Sequence, residues 1–258
     1  KQEINREAPG LDEIVDIALD VFNEVKVVGP QLEIEETVTD IQDDVVQEES
    51  NIDKTDNDVK ETTVKSGWIQ IGSDIDGKVA YDNTGQAIDL SSDGSIVAIS
   101  TPWSEANGSS SGHVSIYENI NNTWQQVGED INGKTADDNL GTSLSLSGDG
   151  SVIAIRGNGP NSDQTSDPYY GIYENNNGSW QQVGSDIISN TVSISLSSDG
   201  SIVAIGSTIY QNINNTWQQI GSDIDQSGSV SLSSVSLSSD GSIVAIGFPE
   251  TDTGGHVS

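Results

Sequence analysis

The chain has no cysteine and no methionine. That excludes a disulfide scaffold, a zinc–thiolate centre and a cysteine nucleophile. Basic residues are scarce: 9 Lys and Arg stand against 41 Asp and Glu, a formal net charge of −32. Phosphate needs a basic face, and nine dispersed cations cannot build one, so a nucleic-acid partner is excluded. No apolar run reaches the roughly 18 residues that a membrane-crossing helix needs. Histidines number only 2. His113 and His256 fall at the same place in two copies of a repeat, so they cannot meet in one site. With so few His and Lys, a nucleophilic or acid–base constellation is hard to assemble, and the composition argues against an enzyme. Paired carboxylates remain, as glycoside hydrolysis would require, but nothing singles out a pair.

The charge is unevenly spread. Residues 1–66 hold 19 acids and 6 bases, and residues 67–258 hold 22 acids and only Lys78, Lys134 and Arg156 as bases. Residues 1–66 contain one aromatic, Phe22. High net charge with little aromatic content predicts a mostly disordered acidic linker. Within it, Leu11, Ile14, Val15, Ala18, Phe22 and Val25 recur at helical spacing before Gly29-Pro30. This predicts a short amphipathic helix over about 11–26.

From Gly67 the composition turns to Gly, Ser, Asn, Asp and Val/Ile, and the sequence repeats itself. Trp68-Ile-Gln-Ile-Gly returns at Trp124, Trp180 and Trp217 as Trp-Gln-Gln-(Val/Ile)-Gly. Ser-Asp-Gly-Ser-Ile-Val-Ala-Ile stands at 92–99, 198–205 and 239–246, with a variant at 148–155. Gly-His-Val-Ser stands at 112–115 and 255–258. Each copy reads as four short strands. Residues 86–91 alternate, an Asp93-Gly94 turn follows, and 95–100 return as a near-continuous apolar run suited to a strand covered on both faces. A variable Gly/Ser/Asn loop precedes a third strand at 112–118, and Asn121-Asn122 turns the chain into a fourth at 124–128. The fold class is therefore all-β: about four blades of a β-propeller, each a four-stranded antiparallel sheet. The periodic Trp residues read as packing between blades. The chain starts at Lys1 and stops inside a third strand, which reads as a truncated fragment; Trp68–Gly72 is an orphan fourth strand.

The order Gly-x-x-(Val/Ile/Leu)-x-Leu-Ser-x-Asp-Gly, Val-Ala-Ile, Gly-x-Val-Ser-Ile-Tyr and Trp resembles the FG-GAP repeat, the blade unit of integrin-α-like propellers. Gly85–Ser100, Gly141–Ile155 and Gly247-Phe248-Pro249 carry the likeness, which spans about 85–258. The Trp-Asp signature of WD propellers is absent. The resemblance implies an extracellular or cell-surface recognition and adhesion module that binds a protein partner through propeller loops. The alternative is a carbohydrate-binding propeller with a glycan ligand. The family often holds calcium in a hairpin loop, but the hairpin Ser92-Asp93-Gly94-Ser95 is too short to supply six to eight oxygens. A second acidic cluster offers candidate calcium ligands in Asp74, Asp76, Asp82, Asp130, Asn132 and Asp138; its plainer reading is a set of turns whose Asp side chains cap amides. Trp103 breaks the repeat inside a variable loop, and Tyr169-Tyr170 follow Pro168 in the matching region. These three aromatics are the ligand-contact candidates. Asn107, Asn121, Asn177 and Asn214 open Asn-x-Ser/Thr triplets, read chiefly as turn residues.

Overall fold

The structure is a computed structural model that describes residues 24–25, 28–38, 60–159, 167–224, 234–248 and 256–257. It divides into two units, residues 26–71 and residues 1–25 with 72–258. The smaller unit is one antiparallel hairpin of Val28–Val38 with Lys60–Gln70, in register from Val28 opposite Gln70 to Val38 opposite Lys60. Composition places these residues in the acidic linker, whereas the structure pairs them as strands. Their apolar positions alternate with acids, as in Leu32-Glu33-Ile34-Glu35, which is strand periodicity. Most of the predicted helix over 11–26 lies outside the described residues. Its end, Glu24–Val25, is strand paired with Ile75–Asp76.

The larger unit is all-β, with no helix among its described residues. It consists of successive antiparallel meanders. The first sheet runs Ile88–Leu90, Ile96–Thr101, His113–Asn119 and Trp124–Gln126. The second runs Ser143–Leu146, Val152–Asn158, Pro168–Asn175 and Trp180–Gln182. The third runs Ile194–Leu196, Ile202–Ile205, Thr208–Asn212 and Trp217–Gln219. The fourth shows Ser234–Leu237, Val244–Phe248 and His256–Val257. Short strands Ile131–Asn132 and Ile187–Ile188 add a further partner to the third strands of the first two sheets. These repeated sheets are compatible with the propeller expected from the repeat.

Burial explains the strand composition. Val97, Ala98 and Ile99 are all buried, as a two-sided apolar strand requires, and Ile153–Ile155 and Val203–Ile205 repeat this. One core cluster joins the first sheet to the second through Val114, Ile116, Leu144, Ile153 and Tyr173. Another joins the second to the third through Ala154, Ile172, Leu196 and Val203. Between third and fourth strands, Asn121-Asn122 and Asn214-Asn215 both adopt positive φ (53° and 61°, 53° and 60°). Asn tolerates this region better than most residues, which is why the Asn-rich triplets fall there.

The Asp-Gly hairpin differs from expectation. Only Gly94 takes positive φ (70°), and the connection from Leu90 to Ile96 is longer than two residues. The Ser91 N–H donates to the Ile96 carbonyl (2.9 Å). Asp93 Oδ1 accepts from the Ser91 hydroxyl (2.7 Å), the Ser95 amide (2.9 Å) and the Ser95 hydroxyl (2.7 Å). Asp149, Asp199 and Asp240 repeat this arrangement with their own flanking serines. The Ser-x-Asp-Gly-Ser motif is thus a self-capped turn.

Candidate functional site

The connection between the second and third strands of the first sheet holds Trp103. Its backbone is pinned. The Gly112 amide donates to the Ser104 carbonyl (3.1 Å), and the Asn107 amide donates to Ser111 Oγ (2.8 Å). Asn107 Nδ2 also reaches the carbonyls of Gly133 (3.0 Å) and Lys134 (2.9 Å) in the next repeat. Buried Ser104 shares a hydrogen bond of 2.6 Å with His113 Nδ1. The Trp103 amide donates to the Asp82 carbonyl (3.2 Å), yet the Trp103 side chain is 55% exposed. An exposed indole on a held loop is a contact surface with little entropy left to lose on binding.

Tyr81, beside Asp82, is also exposed and has φ of 70°. A bulky residue there is strained. Its counterpart one repeat on is Asp137, at φ 61°, a residue type that tolerates the region. Sequence reasoning missed Tyr81; the departure from Asp at the same repeat position was the available signal.

Tyr169 and Tyr170 require a correction. They lie within the strand Pro168–Asn175, not in a loop, and both are fully buried. The Tyr169 hydroxyl donates to Asp138 Oδ2 (2.8 Å) and the Tyr170 hydroxyl to the Thr191 carbonyl (2.8 Å). Burial raises both phenols above their usual range. They are core groups with satisfied tips.

The acidic candidates are distributed over two equivalent clusters. In the first, Asp130 accepts from Lys78 Nζ (2.6 Å), Ser115 Oγ (2.6 Å) and Gln126 Nε2 (2.7 Å), with His113 Nε2 at 4.0 Å. Burial works to raise the Asp130 carboxyl; Lys78 and Ser115 outweigh it, and the net shift is downward. Burial pushes His113 down, favouring the neutral ring. Asp82 is buried, and that burial raises its carboxyl. In the second cluster Lys134 pairs with Asp186 and stands 4.2 Å over the Tyr169 ring. Asp138 Oδ2 accepts from the Lys134 amide (2.6 Å) and from Tyr169, while Oδ1 is buried with no partner among the described residues. Burial raises the Asp138 carboxyl.

Protein groups already engage several of the candidate calcium ligands. Asp130 and Asp138 are engaged by protein donors, Asp74 and Asp76 lie at a two-residue strand, and Asn132 Nδ2 turns to the Asp130 carbonyl (3.4 Å). Among the described residues, no group of three or more His, Asp or Glu is placed to hold a metal. A cleft of about 440 Å³ opens beside the second sheet, lined by Glu129, Asp130, Asn132, Tyr173 and Trp180 among others.

Of the repeating tryptophans, Trp180 and Trp217 join neighbouring repeats, whereas Trp68 is 75% exposed, against the expected packing role. Trp180 Nε1 donates to the Val127 carbonyl (3.0 Å) and Trp217 Nε1 to the Val183 carbonyl (3.0 Å). Both indoles pack against the core clusters.

No protein-family model matches the chain, and no curated protein matches it. Among solved structures, the chain is similar to a proposed 6-phosphogluconolactonase from Bacteroides uniformis, at 15% identity and a TM-score of 0.41. The match covers 67% of this chain and 47% of that one, so the chain spans about half the length of that structure. The expectation from composition that the chain is not an enzyme does not stand: the similar solved structure is named as an enzyme. Scarce His, Lys and Cys do not rule out catalysis on such a scaffold, since carboxylates remain available. At this level the likeness assigns no activity to this chain. Among the described residues, no helix is long and apolar enough to cross a membrane.

Proposed function

We propose that this chain is a secreted or cell-surface recognition module, an FG-GAP-like β-propeller that binds a protein partner through the connections between its strands. The observation that carries the reading is Trp103: a large exposed aromatic on a loop fixed by hydrogen bonds at both ends. The repeat supports it. Two of the periodic tryptophans, Trp180 and Trp217, are spent on packing, whereas Trp103 breaks the period and is exposed on a loop held by hydrogen bonds. Tyr81 is a further exposed aromatic, and its backbone is strained, a feature that accumulates at binding sites.

The test is a panel of immobilised extracellular proteins and glycans probed with the labelled chain and with Trp103→Ala. Binding to a protein ligand that weakens at least tenfold in Trp103→Ala supports the proposal, since central aromatic anchors contribute about 2 kcal/mol or more. Retention only by glycans, lost in the same variant, identifies a lectin instead. Protein binding that is indifferent to Trp103→Ala removes the loop from the site.

A further inference from the structure

The cleft of about 440 Å³ lies between the first two sheets and has the size of a ligand pocket, roughly 300–1,000 Å³. One wall is residues 128–132, where the chain leaves the fourth strand of the first sheet. The other is the turn at residues 178–180 of the second sheet, with Tyr173 beside it. Both walls belong to the larger unit. Gly128 has φ of 76°, and a Cβ there would collide with the Gly178 carbonyl, so the walls meet backbone to backbone.

Three side chains give the cleft its chemistry. Tyr173 is 9% exposed with its ring in the core cluster, yet its hydroxyl has no hydrogen-bond partner among the described residues. Tyr169 and Tyr170 on the same strand both have one. The Tyr173 oxygen is not sealed off, and the opening it reaches is the cleft. A nearly buried phenol without a partner is a polar group left for something that enters. Burial first, then the charges of Asp186 and Asp138, push this phenol up to about 12, so the potential at the cleft floor is negative. Glu129 adds a free charge. The turn reads Gly-Ser-Asp at 72–74, 184–186 and 221–223, and only here Gly128-Glu129-Asp130. Asp130 is spent on Lys78, Ser115 and Gln126, whereas Glu129 is exposed and makes no hydrogen bond among the described residues. The half-buried Trp180 has its Nε1 committed to Val127, so what it offers the cleft is its ring. Among the described residues, no Lys, Arg or His lines the cleft.

A free carboxylate, an unpaired hydroxyl and an aromatic ring in one acidic cleft suit a flat cation with several donors. We propose that this cleft binds the guanidinium of an arginine side chain presented by the protein partner. The Glu129 carboxylate accepts two of its N–H bonds, the Tyr173 hydroxyl oxygen accepts a third, and the guanidinium plane rests on the Trp180 ring. Lysine fits less well, because a compact ammonium cannot both fork onto the carboxylate and stack. The molecule already holds one of its own cations by a carboxylate and an aromatic ring together, Lys134 between Asp186 and Tyr169. The source of the arginine rests on the proposal that the partner is a protein; the preference of the cleft for a guanidinium does not, and it uses no residue of the Trp103 loop.

The test is calorimetric titration of the full chain, at low salt, with the capped tripeptide acetyl-Gly-Arg-Gly-amide. The same peptide with citrulline keeps the shape and removes the charge, and methyl glucoside serves as a neutral sugar. The arginine peptide is expected to bind with a Kd of about 1 mM or below. Citrulline should weaken binding about tenfold, and so should Glu129→Gln, since a hydrogen bond to a charged group is lost in each case. Tyr173→Phe keeps the ring and should weaken it about threefold. That variant should melt no lower than wild type, because the hydroxyl gives up no partner. Trp103→Ala should leave the affinity for the peptide unchanged. An arginine peptide that does not bind overturns the proposal. So does citrulline binding as well as arginine, methyl glucoside binding better than either, or an affinity unmoved in both Glu129→Gln and Tyr173→Phe. Arginine binding beside a panel in which no protein is retained supports the cleft and removes the protein partner; a retained protein without arginine binding keeps the partner and removes the cleft.

Discussion

Asp residues in this chain serve opposite ends depending on what surrounds them. Asp93 and Asp240 are exposed, and hydrogen bonds from Ser95 and Ser91, and from Ser238 and Ser242, hold each carboxyl down to about 2. A depressed carboxyl adds stability above its unfolded value and loses it as pH falls toward its folded one. Asp138 works the other way. Burial raises it, and one oxygen lacks a partner, so its ionised form is a burden that grows as pH rises through its folded value. Melting followed by circular dichroism should therefore show the wild type weakening as pH falls from about 4 to about 2, as the turn carboxylates protonate. Near neutrality, Asp138→Asn should melt higher than wild type, and the difference should shrink as the solution is acidified. An Asp138→Asn variant that melts lower at neutral pH would show that the charge is needed there.

Two buried acids show how far the sequence could be read. Asp82 and Asp138 looked like cation ligands because acids cluster there; their burial, which makes them internal acceptors, is set by contacts with distant strands. Tyr169 and Tyr170 looked like loop residues because Pro168 precedes them. The period of 56 aligns Tyr169 with His113, a third-strand position, and was the sounder guide. Trp103 was legible because it departs from the period.

Among the elements, the strand order of the sheets was legible because alternation and the Ser-x-Asp-Gly-Ser turns are local signals. The hairpin of 28–38 with 60–70 was not, because its strands are joined across 21 intervening residues, which places no short-range turn signal between them. The fourth strands, only three residues long, carry a load out of proportion to their length. Those of the second and third sheets lay an indole against the core and donate to the preceding repeat, Trp180 to Val127 and Trp217 to Val183. Trp180→Ala removes the packing and the donor together and should cost about 3 kcal/mol, read as a lower urea midpoint with little change in slope. Trp180→Phe keeps most of the packing and should recover more than half of that. A loss below about 1 kcal/mol in Trp180→Ala would mean that the indole does not join the repeats.

For the molecule as a whole, the sheet region is nearly stripped of cations, and two of its three bases are committed to bridges between repeats, Lys78 with Asp130 and Lys134 with Asp186. Cohesion therefore comes from the joints between neighbouring sheets rather than from surface charge. Those joints are serial: among the described residues, the second and third sheets are each joined to a neighbour on both sides. Opening either of them breaks two joints at once, so both should open late. Amide hydrogen exchange should reveal this, with Ile153–Ile155 and Ile202–Ile205 labelling after the hairpin turns that flank them. The structure thus implies that strands clasped from two sides keep their protons long after the surrounding turns have exchanged.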